Sequence, residues 1–340
     1  MSVTIKDVAR RANVSVATVS RALNGHQNVA DAVRSRVLTA ANELNYSPHH
    51  AARSLSSRRT HTIGVVLPDL YGEFFSELIR GIDQVAREHG LHLLVSSYHG
   101  HPQEQGAALR AMRGRVDGLL LMSPFAGNGG FIEANLAPSM PVVLMNTAPG
   151  DSARPALRVD GYGGARAMVE HLAGAGHRAI AFIAGPEGNF DAFERLRGYR
   201  DAMAALLPGV APRVAPGAFD EASGHRAGIS LLEGGRPDAI FAANDMMALG
   251  CLSALVQAGV RVPEDIALAG FDDVPLARYV HPALTTMRVD IAELGASAAR
   301  MLLDMDAGGE SPPAPTLLAP QLVVRGSTAP RRAGPGGGQG

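Results

Sequence analysis

From Thr62 onward the chain alternates short, uninterrupted apolar runs with amphipathic stretches, and it does so in two series. Ile63–Leu67, Leu91–Ser96, Leu119–Met122 and Val142–Met145 read as buried strands, and Phe74–Glu88, Gln103–Met112 and Gly163–Ala173 as the helices that go with them. The second series has strands at Ala179–Ile183, Ala239–Ala242 and Ile266–Ala269, and helices at Glu194–Leu206, Ser223–Leu232 and Met246–Ala258. A strand that is apolar on both faces must be covered on both, and helical crossovers do this when the strands run parallel. Two series predict two doubly wound α/β lobes with a cleft between them. Ligands of such folds bind at the carboxyl ends of the strands.

Length and composition bound the rest. At 340 residues, 46% apolar and 19% charged, the chain has room for two domains and a small third, and its composition is globular. No apolar run reaches the roughly 18 residues that span a bilayer. The polar start MSVTIKDVARR lacks the apolar core of a secretory signal, so a cytoplasmic, nucleoid-associated protein is expected. The single cysteine, Cys251, excludes an internal disulfide framework and a multi-cysteine zinc site. No cofactor or metal is expected.

The net charge of −1 hides a split. The first 60 residues hold nine basic side chains against three acidic ones; the other 280 hold 22 against 29. A basic head on an acidic body points to a polyanionic partner for the head. Within the head, Thr4 caps a helix and Asp7 can reach back to it; Val8, Ala9 and Ala12 share its inner face. Asn13 suits a left-handed turn. Ser15 caps a second helix with Val19, Ala22 and Leu23 inward. A third runs over 31–44, with Val33, Val37, Leu38, Ala41 and Leu44 in register. Two short helices, a tight turn and a third helix make a helix-turn-helix arrangement. The second helix then projects Val16, Ala17, Ser20 and Arg21 outward. Arg pairs bidentately with guanine, and Val and Ala methyls touch thymine methyls. A three-helix bundle with a merely solvated basic face is the alternative.

TIKDVARRANVSVATVSRALNG, followed by LNYSPHHAARSL, strongly resembles the start of the lactose/galactose repressor (LacI/GalR) family, and the resemblance runs to about residue 328. It implies base reading by Val16, Ala17 and Arg21. It also implies DNA binding by Thr4 and contacts to the DNA backbone at or near Ser15, Thr18, Ser20, Asn24 and Asn28. Pro48–Ser56 matches the family's hinge segment, whose Leu55 would be a minor-groove wedge that kinks the duplex. Two such hinges imply a homodimer on a palindromic double-stranded operator. The implied domains are a helix-turn-helix head (1–47), a hinge (48–60), an effector and dimerisation body (61–328) and a Gly-rich tail (329–340). One lobe of the body spans about 61–159 and 290–319, the other about 160–289 and 320–328. The tail lacks the apolar heptads of tetrameric members. The dimer is expected through the helices near 74–88 and 103–112.

In the body, Asn146, Asn244 and Asp272 end strands, and Phe75 follows the first strand's turn. Amides, carboxylates and guanidinium groups bind vicinal hydroxyls, and aromatic rings stack on sugar faces. The resemblance places effector contacts at Asn146, Arg195, Asn244 and Asp272, with Phe75 and Phe219 at aromatic positions of the family and Asp69 and Phe190 at the rim. Asn244 and Asp272 could instead only cap their elements, and Phe75 and Phe219 could be plain core. The family often has Asn-Pro before the paired Phe residues. Here Gly72-Glu73 precede Phe74-Phe75, leaving Glu73 either at the pocket mouth or in solvent.

The resemblance thus implies a DNA-binding transcriptional regulator, a repressor, controlled by a small effector read as a carbohydrate. A purine or other corepressor is the alternative. A solute-binding transport protein shares the body but needs no basic head. An enzyme lacks support: there is no Gly-x-Ser-x-Gly elbow and no Walker-type loop. Gly161-Tyr162-Gly163-Gly164 lacks the spacing of a dinucleotide fingerprint.

Overall fold

The computed structural model describes residues 3–23, 28–46, 59–125, 129–148, 154–306 and 316–328. It divides into two compact units, 1–60 and 61–340. Asn24, Leu55 and the hinge segment through Ser56 lie outside the described residues.

The first unit contains α1 (Ile5–Ala12), α2 (Val16–Leu23) and α3 (Asp31–Glu43). The Asp7 carboxylate accepts from the Thr4 backbone N–H (3.0 Å) and hydroxyl (2.7 Å). Asn13 ends α1 in the left-handed conformation (φ 52°). The Ser15 hydroxyl accepts from Thr18 N–H (3.1 Å), which starts α2. Val8, Ala9, Val19, Ala22, Val37 and Ala41 form the core. Leu38 does not join it. It is 45% exposed, because the three-helix contact uses only a narrow stripe of α3 centred on Val37, Ala40 and Ala41.

Among the described residues, the second unit has two parallel sheets and a two-stranded antiparallel one. The first runs β2-β1-β3-β4-β5-β11, all parallel, with β1 (Thr62–Leu67), β2 (His92–Ser97), β3 (Gly118–Met122), β4 (Val142–Met145), β5 (Ala156–Val159) and β11 (Thr316–Leu318). Ile63 pairs with Leu93 and Gly118, which fixes the register at the centre. Neighbouring residues of β1 serve opposite cores. Val65 packs toward α4 (Glu73–Glu88) and α11 (Ile291–Asp306). Val66 joins Leu109 of α5 (Pro102–Met112) and Ile132 of α6 (Gly129–Asn135).

The second sheet runs β7-β6-β8-β9, with β6 (Ile180–Ile183), β7 (Arg213–Ala215), β8 (Ala239–Ala242) and β9 (Ala267–Ala269), again parallel. Its helices are α7 (Gly161–Gly174), α8 (Phe190–Leu206), α9 (Glu221–Glu233) and α10 (Asp245–Gln257). The Gly-rich run at 161–164 is the first turn of α7, capped by Asp160, whose carboxylate accepts from Gly163 N–H (2.8 Å).

Three crossovers link the lobes, after β5, after β10 (Thr286–Arg288) and between β11 and β12 (Gln321–Val323). β10 and β12 pair antiparallel. Asp273 lies beside them, its carboxylate fully buried between Arg288 (2.7 Å), Arg325 (2.6 Å) and Arg278 (3.4 Å).

Candidate functional site

A cavity of about 710 Å³ lies between the two lobes, at the carboxyl ends of their strands. Asp69 comes from the turn after β1, Asn146 from the end of β4 and Phe75 from the first turn of α4. Asn244 and Asp272 come from the ends of β8 and β9. Parallel strands direct all these loops to one edge, so residues far apart in sequence meet there.

Each side chain is held by a specific device. Asn146 is buried with a left-handed backbone (φ 46°), and its amide oxygen accepts from Val159 N–H (3.2 Å). Asn244 both caps and lines. Its oxygen accepts from Met247 N–H (3.0 Å), its amide donates to the Phe219 carbonyl (2.9 Å), and it faces the cavity. Capping and lining are therefore not alternatives at this position. Phe219 (φ 67°) and Asp272 (φ 109°) also have positive φ. Non-glycine residues in that region are strained, and such strain gathers at functional sites. Arg195, 4% exposed, approaches Asp272 with one terminal nitrogen (3.1 Å to Oδ1) and donates from the other to the Ala243 carbonyl. Its guanidinium sits over the Phe271 ring, 3.9 Å from the centroid, with Phe219 at 5.8 Å.

Of the eight effector positions expected from the sequence, Asp69, Phe75, Asn146, Arg195, Phe219, Asn244 and Asp272 all line this cavity. Phe190 does not. It opens α8, and its backbone N–H donates to the Pro124 carbonyl (2.6 Å) at the junction of the lobes. One residue of helix turns the side chain by about 100°, so Asp191 faces the cavity instead. Asp191, Asn189, Asp220, Glu221, Tyr71 and Phe125 were not anticipated. One signal was available: Asp191 precedes Arg195 by one helical turn and shares its face. Glu73 does not line the cavity; its carboxylate accepts from Leu276 N–H (2.7 Å) across the lobes.

The charges are uneven. Burial raises the Asp272 carboxyl to about 6 against the pull of Arg195. Burial and the nearby Asp272 also raise Asp191 to about 6, opposed by Arg195 and by a hydrogen bond with Asn146. Asp245 lies behind the site, bonded to the Thr286 hydroxyl (2.6 Å) and Val274 N–H (2.9 Å), and burial raises its carboxyl well above the usual range.

In the first unit, Val16, Ala17 and Arg21 are exposed on α2, with Ser20 and Thr18 partly so. Ser15 and Thr18 share a hydroxyl contact (2.9 Å), and Asn28 is exposed beyond α2.

Residues 4–49 match the lacI family of bacterial regulatory proteins, and residues 169–328 match a periplasmic binding protein-like domain. The HTH-type transcriptional repressor CytR of Escherichia coli (strain K12) is 36% identical over 330 residues, 96% of each chain. The chain belongs to the LacI family of bacterial regulatory proteins. This LacI-family protein is a DNA-binding transcriptional regulator with a separate ligand-binding domain. A crystal structure of the Lac repressor dimer bound to operator and the anti-inducer ONPF is 30% identical, with a TM-score of 0.87 over 97% of this chain and 100% of that one. A complex of the transcriptional regulator CelR with cellobiose is 31% identical, with a TM-score of 0.70 over 96% and 99%. The two-lobe α/β body and the helical head are thus those of the family. Among the described residues, no helix is long and apolar enough to cross a membrane.

Proposed function

We propose that this regulator represses transcription by binding a palindromic operator as a homodimer, and that a small polyhydroxylated ligand, a sugar, releases it. The observation that carries the reading is the cavity. It falls within the roughly 300–1,000 Å³ of small-molecule sites, and it combines aromatic rings with amide, carboxylate and guanidinium groups from both lobes. Such a set holds hydroxyls in pairs and covers the apolar face of a sugar ring. The cellobiose complex of CelR supports the ligand class.

In this reading Val16, Ala17 and Arg21 contact bases, while Thr4, Ser15, Thr18, Ser20 and Asn28 position the head on phosphates, joined by Asn24. Leu55 wedges the minor groove at the dyad. The protein works on the nucleoid in the cytoplasm and does not transform its ligand. Ligand binding changes how one lobe stands on the other, and the dimer passes this to the two hinges. The coupling is reciprocal, so operator lowers ligand affinity by the factor by which ligand lowers operator affinity.

A flat heterocycle acting as corepressor is the second reading, favoured by the rings of Phe75, Phe125 and Phe219 in the lining. The test begins with duplexes selected from a random pool by the full-length protein. Their affinity is then measured by fluorescence anisotropy with and without sugars, nucleosides and purines. Release by a sugar is expected. Tighter binding with a purine selects the second reading, and operator affinity unmoved by any ligand rejects ligand control.

A further inference from the structure

We propose that the effector is an amine-bearing polyol, such as an amino sugar, rather than a neutral sugar or a sugar phosphate. The inference rests on the sugar-sensing reading above and narrows it.

Five carboxylates line the cavity, Asp69, Asp191, Asp220, Glu221 and Asp272, against one basic side chain, Arg195. Of the five, only Asp272 makes an ion pair among the described residues. The deep part decides the charge. Arg195 is the one guanidinium acting on both Asp191 and Asp272, and it is already held by the Ala243 carbonyl and the Phe271 ring. Two carboxylates that share one cation leave one negative charge without a partner.

Hydrogen bonding within the protein offsets this excess only in part: Asp191 is bonded to the neutral Asn146 side chain, which brings no positive charge. Asp272 is 4% exposed, and its Oδ1 accepts no aligned hydrogen bond, although Arg195 stands 3.1 Å away. At the mouth, Asp69 Oδ1 takes Leu70 and Tyr71 N–H (2.6 and 3.1 Å), and Asp220 Oδ1 takes Ser223 N–H (2.6 Å). One oxygen of each is therefore engaged. Among the described residues, the Glu221 carboxylate accepts from the Tyr71 hydroxyl alone, at 3.3 Å. Burying an unpaired charge is costly, and an ammonium group entering the cavity relieves that cost. A phosphate would meet the same field with the opposite sign.

Burial raises both the Asp191 and the Asp272 carboxyl, and Arg195 offsets it only in part, which agrees with this geometry. The remaining polar lining, Asn146, Asn189 and Asn244, suits hydroxyls, which is why the class is a polyol with an amine and not a simple amine.

The test uses the full-length protein and matched probes: glucosamine, N-acetylglucosamine, glucose and glucose 6-phosphate, with the same four forms of galactose. Titration calorimetry and thermal shift measure binding. The amine is expected to bind at least tenfold more tightly than its acetylated or neutral counterpart, and that advantage shrinks between low and high salt. Asp191→Asn is expected to reduce the ratio to within about threefold, while Asp191→Glu retains it. Asp191→Ser serves if Asn disturbs the fold, which circular dichroism reports. Equal or tighter binding of the neutral, acetylated or phosphorylated sugar overturns the amine inference and leaves sugar sensing standing. If no probe of any form binds, both fall.

Discussion

Arg195 has more to do than one residue usually has. It bonds the Ala243 carbonyl, lies on Phe271 and stands against Asp272 while Asp191 waits one turn away. Asp272→Asn is therefore expected to lower ligand affinity at least tenfold. Operator binding without ligand should stay within twofold, since the substitution lies in the second unit and leaves the head's sequence unchanged. Calorimetry and anisotropy on one preparation check both halves. The two carboxyls also set a pH dependence. Both are raised to about 6, so from about pH 4 to about pH 6 the folded protein holds more protons than the unfolded chain. Stability consequently falls as pH rises through that window and stays lower above it. Asp191→Asn is expected to flatten the fall and to raise stability at pH 7.5 by about 1–3 kcal/mol, on the scale of 1.36 kcal/mol per pH unit. Urea midpoints across pH 4–8 measure this, and a variant as pH-sensitive as the parent contradicts it. In the head, Arg21→Ala is expected to weaken specific operator binding by about 1–3 kcal/mol, as loss of a bidentate base contact does, with thermal stability unchanged.

At the scale of elements, the helices could be read from their spacing, but their closeness could not. α4 and α11 cross so tightly that a Cβ on Gly81 would collide with the Ala292 carbonyl, and one on Gly295 with the Leu78 carbonyl. α9 and α10 cross the same way, Gly224 against the Met247 backbone and Gly250 against the Glu221 carbonyl. Backbone cannot swing aside as a side chain can, so Gly81→Ala is expected to cost about 1–3 kcal/mol or more. Chemical denaturation should show a lower midpoint at unchanged slope. Nothing in the local sequence distinguishes these glycines from the turn glycines. Short strands were missed for a related reason. β7, β10 and β12 have three residues each, too few for a period, and exist because a neighbouring strand is there to pair with. Phe190 shows the same limit at a boundary: starting α8 four residues earlier than its pattern suggested exchanged Phe190 for Asp191 at the cavity wall.

For the body as a whole, the proposed ligand control depends on how the lobes stand against each other. Besides the three crossovers, Glu73 reaches Leu276 N–H (2.7 Å) and the Tyr71 hydroxyl reaches Glu221 (3.3 Å), each from one lobe to the other. These contacts tie the two lobes together. Glu73→Ala is expected to raise the radius of gyration of the ligand-free protein in solution scattering. It should also weaken ligand binding a few-fold, because a smaller share of molecules is competent to bind. Ligand should still compact the variant. An unchanged radius with unchanged affinity would remove Glu73 from the closing equilibrium.

Patterns along the chain were enough for the class of both units and for half of the cavity's polar wall. Apolar runs flanked by helices dictate parallel sheets, and parallel sheets put strand-end residues such as Asn146, Asn244 and Asp272 on one edge. Capping residues, Thr4, Ser15 and Asn244 among them, act within a few positions of themselves and are equally local. Tertiary structure alone decided the balance of charge in the cavity, the contact of Glu73 and the strain at Phe219 and Asp272. Each depends on groups far apart in sequence, and electrostatic energy and packing are set by distance and burial, which spacing along the chain does not encode.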